Sequence, residues 1–183
     1  MANIEQIEDG NADDRTPFAG IDPWVALQDG RRQLTAALDA CDPRSGAQTL
    51  AIPEFANLGQ TVGTLGALLL EHAARDRAHA EFFASLDTND VAGPPESRSE
   101  PDSEDWLAVR AEVEAARIAM LETAAGVGTA HWRRLLSPPW VDAAGESLTS
   151  LLVIRAMCDG ILADAVATLG PDPSRGPHLR AAR

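Results

Sequence analysis

The chain has 183 residues, enough for one full hydrophobic core and short for two. Hydrophobic residues make up 45%, the ordinary globular range, which argues against wholesale disorder. Its formal charge is −13 and every basic residue is Arg, so phosphate backbones and anionic lipid surfaces are repelled, and neither nucleic acid nor membrane is an expected partner.

Residues 1–20 carry Glu5, Glu8, Asp9, Asp13 and Asp14 without an apolar stretch, which reads as a disordered acidic tail and not as a signal peptide. The longest apolar run, Leu65 to Leu70, is interrupted by Gly66 and is far too short to span a bilayer. Cys41 and Cys158 stand far apart with no CxxC, so free thiols in a cytoplasmic setting are the expectation.

The segment 21–170 reads as one bundle of four helices. The first opens at Asp22-Pro23, a capping residue followed by proline at the first helical position, and carries Trp24, Leu27, Leu34, Leu38 and Cys41. The second runs from about Thr61 to Leu86, with Leu65, Leu69, Phe83 and Leu86 on one stripe. Residues 87–104, rich in Pro, Ser and acid, form a flexible loop. The third helix follows Asp102-Ser103 and holds Trp106, Val109, Val113, Ala116 and Met120. The fourth begins at Ser147, with Leu148, Leu151, Leu162, Ala165 and Leu169, and Pro171 to Arg183 form a C-terminal tail. The expected helical spans are 22–42, 57–86, 103–128 and 146–170. No β-branched run of period two occurs, so the chain reads as all-α.

The two halves look alike at an offset of 86: Leu34 meets Met120, Leu65 meets Leu151, and His72 meets Cys158. Two helical hairpins packed with pseudo-twofold symmetry would produce this, as would chance similarity between Ala-rich amphipathic helices.

Chemistry concentrates on the second helix. Continuing its stripe from Leu69 gives His72, Asp76 and His79 on the apolar face, where a carboxylate and two imidazoles cost free energy unless they pair or bind something. The fourth helix has a matching irregularity in Arg155 and Cys158, with Asp159 beside its stripe, and Arg31 interrupts the first helix. These seven residues are the candidate pocket. Three readings are open: core histidines with Asp76 paired to Arg155 or Arg31; a small-molecule pocket; or a metal site of His72 with Cys158 or Asp76. No cofactor is expected beyond a weakly indicated divalent metal. No Gly-rich phosphate loop, nucleophile elbow or HExxH is present.

Over about residues 22–170 the layout resembles the DinB-like superfamily of bacterial four-helix bundles, which includes thiol transferases and a mycothiol-dependent isomerase. The similarity is carried by TVGTLGALLLEHAARDRA (61–78), HWRRLLSPPW (131–140) and the run Cys158-Asp159-Gly160-Ile161-Leu162. The resemblance implies a metal held by three histidines that activates a low-molecular-weight thiol. Only His72 matches a ligand; Cys158 and Leu162 stand at the other two positions, and Leu162 cannot coordinate. The implied triad is therefore broken, and the expected function is binding or transformation of a small molecule inside the bundle without it. A homodimer is compatible with this reading. Residues 71–83 and 159–173 are also similar to the ligand-binding domain of TetR-type regulators, which gives an alternative: a regulatory ligand-binding module with no DNA-binding activity of its own.

Overall fold

The structure is a computed structural model that describes residues 18, 20–52, 62–86, 105–132 and 147–169. The expected loop 87–104 and tail 171–183, with all of the acidic tail except Phe18 and Gly20, lie outside the described residues.

Four long helices form the bundle. Helix α1 (Pro23–Ala40) starts where the Asp22 carboxylate accepts from the Trp24 and Val25 amides at 2.9 and 3.3 Å. Helix α2 (Leu65–Ser85) is capped by the Thr64 hydroxyl, which accepts from the Ala67 amide. Helix α3 (Trp106–Gly126) is capped by Asp105, three residues later than the expected Asp102-Ser103 start. A single turn, α4 (Thr129–Trp132), precedes α5 (Leu148–Ala167), whose cap is the expected Ser147.

The second helix begins at Leu65, later than expected, because Val62–Thr64 is extended. It forms strand β2, antiparallel to β1 (Thr49–Ala51), with Leu50 opposite Gly63. The Leu65 amide then donates to the Gln48 carbonyl at 2.9 Å, so the short ladder leads directly into the first turn of α2. Three-residue strands are too short to show a period, which is why the sequence pattern reads as lacking strands. Between α1 and β1, Asp42 caps a short 3-10 turn over Pro43–Ala47.

Helix directions follow from two apolar clusters. One gathers Leu34 and Leu38 of α1, Leu65 and Leu69 of α2, Val109 and Val113 of α3, and Leu162 and Val166 of α5. The other gathers Leu27, Phe82, Phe83, Met120, Leu148 and Leu152. Helices α1 and α5 thus run from the second cluster to the first, while α2 and α3 run the opposite way. The closest packing is α1 against α5 and α2 against α3, each a parallel pair. Residues at the offset of 86 exchange clusters: Leu27 with Val113, Leu34 with Met120, Leu38 with Ala124, and Leu65 with Leu151. A twofold axis across the middle of the bundle has this consequence.

Gly30 permits the α1–α5 approach. A Cβ there would lie 2.6 Å from the Ala156 carbonyl oxygen and 3.1 Å from the Asp159 Cβ. Helix α5 is buried around most of its circumference, as befits the innermost element of the bundle. Among the described residues, no helix is long and apolar enough to cross a membrane.

Candidate functional site

Between the two apolar clusters lies a layer of buried polar groups. Helix α2 contributes His72, Asp76 and His79, α3 contributes Arg117, and α5 contributes Arg155 and Asp159, each no more than 4% exposed. Asp76 and Asp159 are effectively sealed from solvent, so their charge is tolerable only if it is met by opposite charge and by hydrogen bonds.

Asp76 is met on both oxygens. Arg155 donates to Oδ1 from Nε at 3.0 Å and from Nη2 at 2.6 Å, and Arg117 Nε donates to Oδ2 at 2.8 Å. Burial alone would raise the Asp76 carboxyl, but Arg155 and then Arg117 outweigh it and hold the group well below the usual carboxylate range. Arg155 shows the converse: burial works against its charge, yet Asp76 keeps it firmly protonated. Asp159 Oδ1 accepts from Arg117 Nη2 at 2.6 Å and lies 2.6 Å from His72 Nε2.

His72 is set between unlike neighbours. Its Nε2 faces the Asp159 carboxylate, and its Nδ1 lies 3.2 Å from Arg155 Nη2. A neutral imidazole with its proton on Nε2 donates to the carboxylate, while Arg155 Nη2 stands 3.2 Å from both ring nitrogens. Burial, then the charge of Arg155, lowers the His72 pKa against the opposing pull of Asp159. His79 stacks on Phe83 with ring centroids 6.3 Å apart, and its pKa is pushed down to about 3 by burial and then by Arg155.

On one side the layer lies directly beneath a surface groove. A groove of about 830 Å³ runs between α1 and α3, walled by Leu34, Leu38, Leu107, Ala111 and Val113, and its floor is formed by Arg117 and Asp159. Ion pairs Arg31–Glu114 and Arg110–Asp39 link the two walls. Arg117 Nη1 and Asp159 Oδ2 are buried and make no hydrogen bond among the described residues. Such an atom costs about 1–3 kcal/mol until something pairs with it.

Of the seven sequence candidates, the fold brings His72, Asp76, His79, Arg155 and Asp159 into this layer. Arg31 does not join it. Half-buried on the groove wall, it pairs with Glu114, so Asp76 takes Arg155 and Arg117 and leaves Arg31 outside. Cys158 packs in the apolar cluster that contains Leu162, and burial pushes its thiol up. Arg117 is the residue that sequence reasoning missed. It lies four residues after Val113 and three before Met120, on the apolar face, and 86 residues after Arg31. The step from Val113 marks it as a candidate for the buried face but does not decide whether its head turns inward.

A divalent metal does not fit this layer. His72 Nε2 has Arg117 Nη2 and Arg155 Nη2 each at 3.2 Å, so two fixed cations stand where a metal bound to that imidazole would need room and negative charge. Among the described residues, no group of three or more His, Cys, Asp or Glu side chains is placed to hold a metal. No protein-family model, no curated protein and no solved structure matches this chain.

Proposed function

We propose that this chain is a small-molecule-binding helical bundle of DinB-like type, in which the α1–α3 groove receives the ligand and an arginine–carboxylate layer stands in place of the metal centre. The observation that carries the reading is the coincidence of two features: Arg117 and Asp159 form the floor of a groove large enough for a small organic molecule, and both keep a buried polar atom without a hydrogen-bond partner among the described residues. The reading draws on the place of His72 in α2, the one position where the resemblance finds a matching ligand.

Binding is favoured over catalysis by the state of the reactive groups. Asp159 Oδ1 is already engaged by Arg117 and His72. Cys158 is buried with a raised thiol pKa, which suits packing and not nucleophilic attack. The ligand is a small molecule, with neither nucleic acid nor membrane as a partner, in keeping with the charge of −13.

The test is a fragment screen on the full chain followed by methyl-resolved NMR. Fragments are expected to shift the Leu34, Leu38 and Val113 methyls while leaving Leu148 and Leu152 unchanged. Ala111 is exposed on the groove wall, so Ala111→Trp should fill the groove and remove those shifts without disturbing the core. Fragments that cluster elsewhere, or that bind Ala111→Trp unchanged, would defeat the reading.

A further inference from the structure

We infer that the groove selects an uncharged ligand whose polar end carries a hydrogen-bond acceptor beside a donor, as in a primary carboxamide, a lactam or a urea, on an apolar body. The inference rests on the proposed binding groove and concerns what fits it.

Charge comes first. Arg117 and Arg155 face Asp76 and Asp159, and His72 is satisfied as a neutral imidazole, so the layer beneath the groove is already balanced. Around the groove, Arg31 is paired with Glu114, Arg110 with Asp39 and Arg32 with Asp29. A carboxylate ligand would meet Arg117 but would place a third negative charge beside Asp159 and near Glu114. An ammonium ligand would meet Asp159 but lie against Arg117 and Arg31. Either brings an uncompensated charge into a region of low dielectric, which is costly.

The hydrogen-bonding pattern narrows the class further. Arg117 Nη1 can only donate and Asp159 Oδ2, as a carboxylate oxygen, can only accept. They belong to a single pair whose other atoms, Nη2 and Oδ1, are joined at 2.6 Å, and both residues line the groove although these two atoms are themselves buried. A ligand that satisfies both therefore offers an acceptor and a donor side by side, which an amide edge does with its carbonyl oxygen and N–H. An ester or a tertiary amide leaves Oδ2 unmet. The walls set the remainder of the ligand. Leu107 is 74% exposed on the groove side of α3, and with Leu34 and Val113 it offers an apolar surface to an apolar body.

The experiment is isothermal titration of the full chain with four probes of one shape: cyclohexanecarboxamide, its N,N-dimethyl derivative, cyclohexanecarboxylate and cyclohexylmethylammonium. The carboxamide is expected to bind about tenfold or more tightly than each of the others, since each alternative leaves a buried polar atom unpaired or adds a charge. Asp159→Asn, checked for folding by circular dichroism, should erase the preference of the primary over the dimethyl amide. If that variant does not fold, Ala111→Trp serves instead and should abolish carboxamide binding. Equal affinities, or a preference for the carboxylate or the ammonium, would overturn the inference while leaving a ligand-binding groove. Failure of all four probes, or binding that survives Ala111→Trp, would overturn the groove and the inference together.

Discussion

The apolar clusters and the polar layer between them are held together in different ways. Leu65, Leu69, Met120 and Leu152 are fully buried, and each loses only its own contacts when truncated. In the layer, Asp76 is shared by Arg117 and Arg155, and Asp159 is shared by Arg117 and His72, so none of these five can be removed without affecting another. A truncation in the apolar ends strands no charged partner, whereas the middle is a closed set of partners. Replacing a buried ion-pair set by well-packed apolar residues is often neutral or stabilising, so stability alone does not account for the layer.

The sharpest way to break the contrast is Asp76→Ala. It leaves two buried guanidinium groups without their carboxylate and should cost about 3–5 kcal/mol, read from chemical denaturation. Leu152→Ala in the apolar cluster should cost about 2–4 kcal/mol and leave the layer intact. If the two variants also combine with Arg155→Ala in the same additive way, the idea of a closed set is wrong.

Acid should discriminate between the regions next. His79 titrates at about 3 in the fold against an ordinary 6.5, and His72 is lowered as well. Below pH 6.5 the unfolded chain takes up protons that the fold excludes, so stability falls with pH by about 1.4 kcal/mol per unit on account of His79, and His72 adds to the fall in the same direction. Asp76, held below its ordinary 3.8, adds a further loss once pH drops under that value. Leu152→Ala should keep this slope, and His79→Leu should reduce it. A wild-type stability that is flat from pH 7 to 5 would mean that the histidines are not excluded from protonation.

The smallest effect belongs to the groove wall. Arg31 and Glu114 are partly exposed, with side-chain accessibilities of 34% and 47%, and Arg31→Ala should change stability by about 1 kcal/mol or less. A cost comparable to that of Asp76→Ala would place Arg31 inside the cooperative set, contrary to its position.

Much of this was legible from residue spacing. His72, Asp76 and His79 fall on the buried stripe of α2, as their steps from Leu69 require, and Asp22 and Ser147 cap where their side chains suggest. Of the partners, Arg155 was legible as one of two candidates for Asp76, whereas Arg117 was not. A lone Arg beside an apolar stripe, such as Arg117 or Arg31, can bury its head or extend it to solvent, and spacing alone does not choose. Only the register of α3 against α2 and α5 decides that Arg117 turns inward while Arg31 meets Glu114. The strands β1 and β2 escaped for a different reason, since their pairing is non-local and each is three residues long.

The central claim is that arginines, and no metal, neutralise the carboxylates of the middle layer. Thermal unfolding of the tag-free chain and of His72→Ala, each in EDTA and in added zinc, nickel or iron, tests it most directly. The account predicts superimposable wild-type curves in every condition, with His72→Ala destabilised by about 1–3 kcal/mol regardless of metal. A melting temperature that rises with one of these metals in the wild type, and not in His72→Ala, would contradict it.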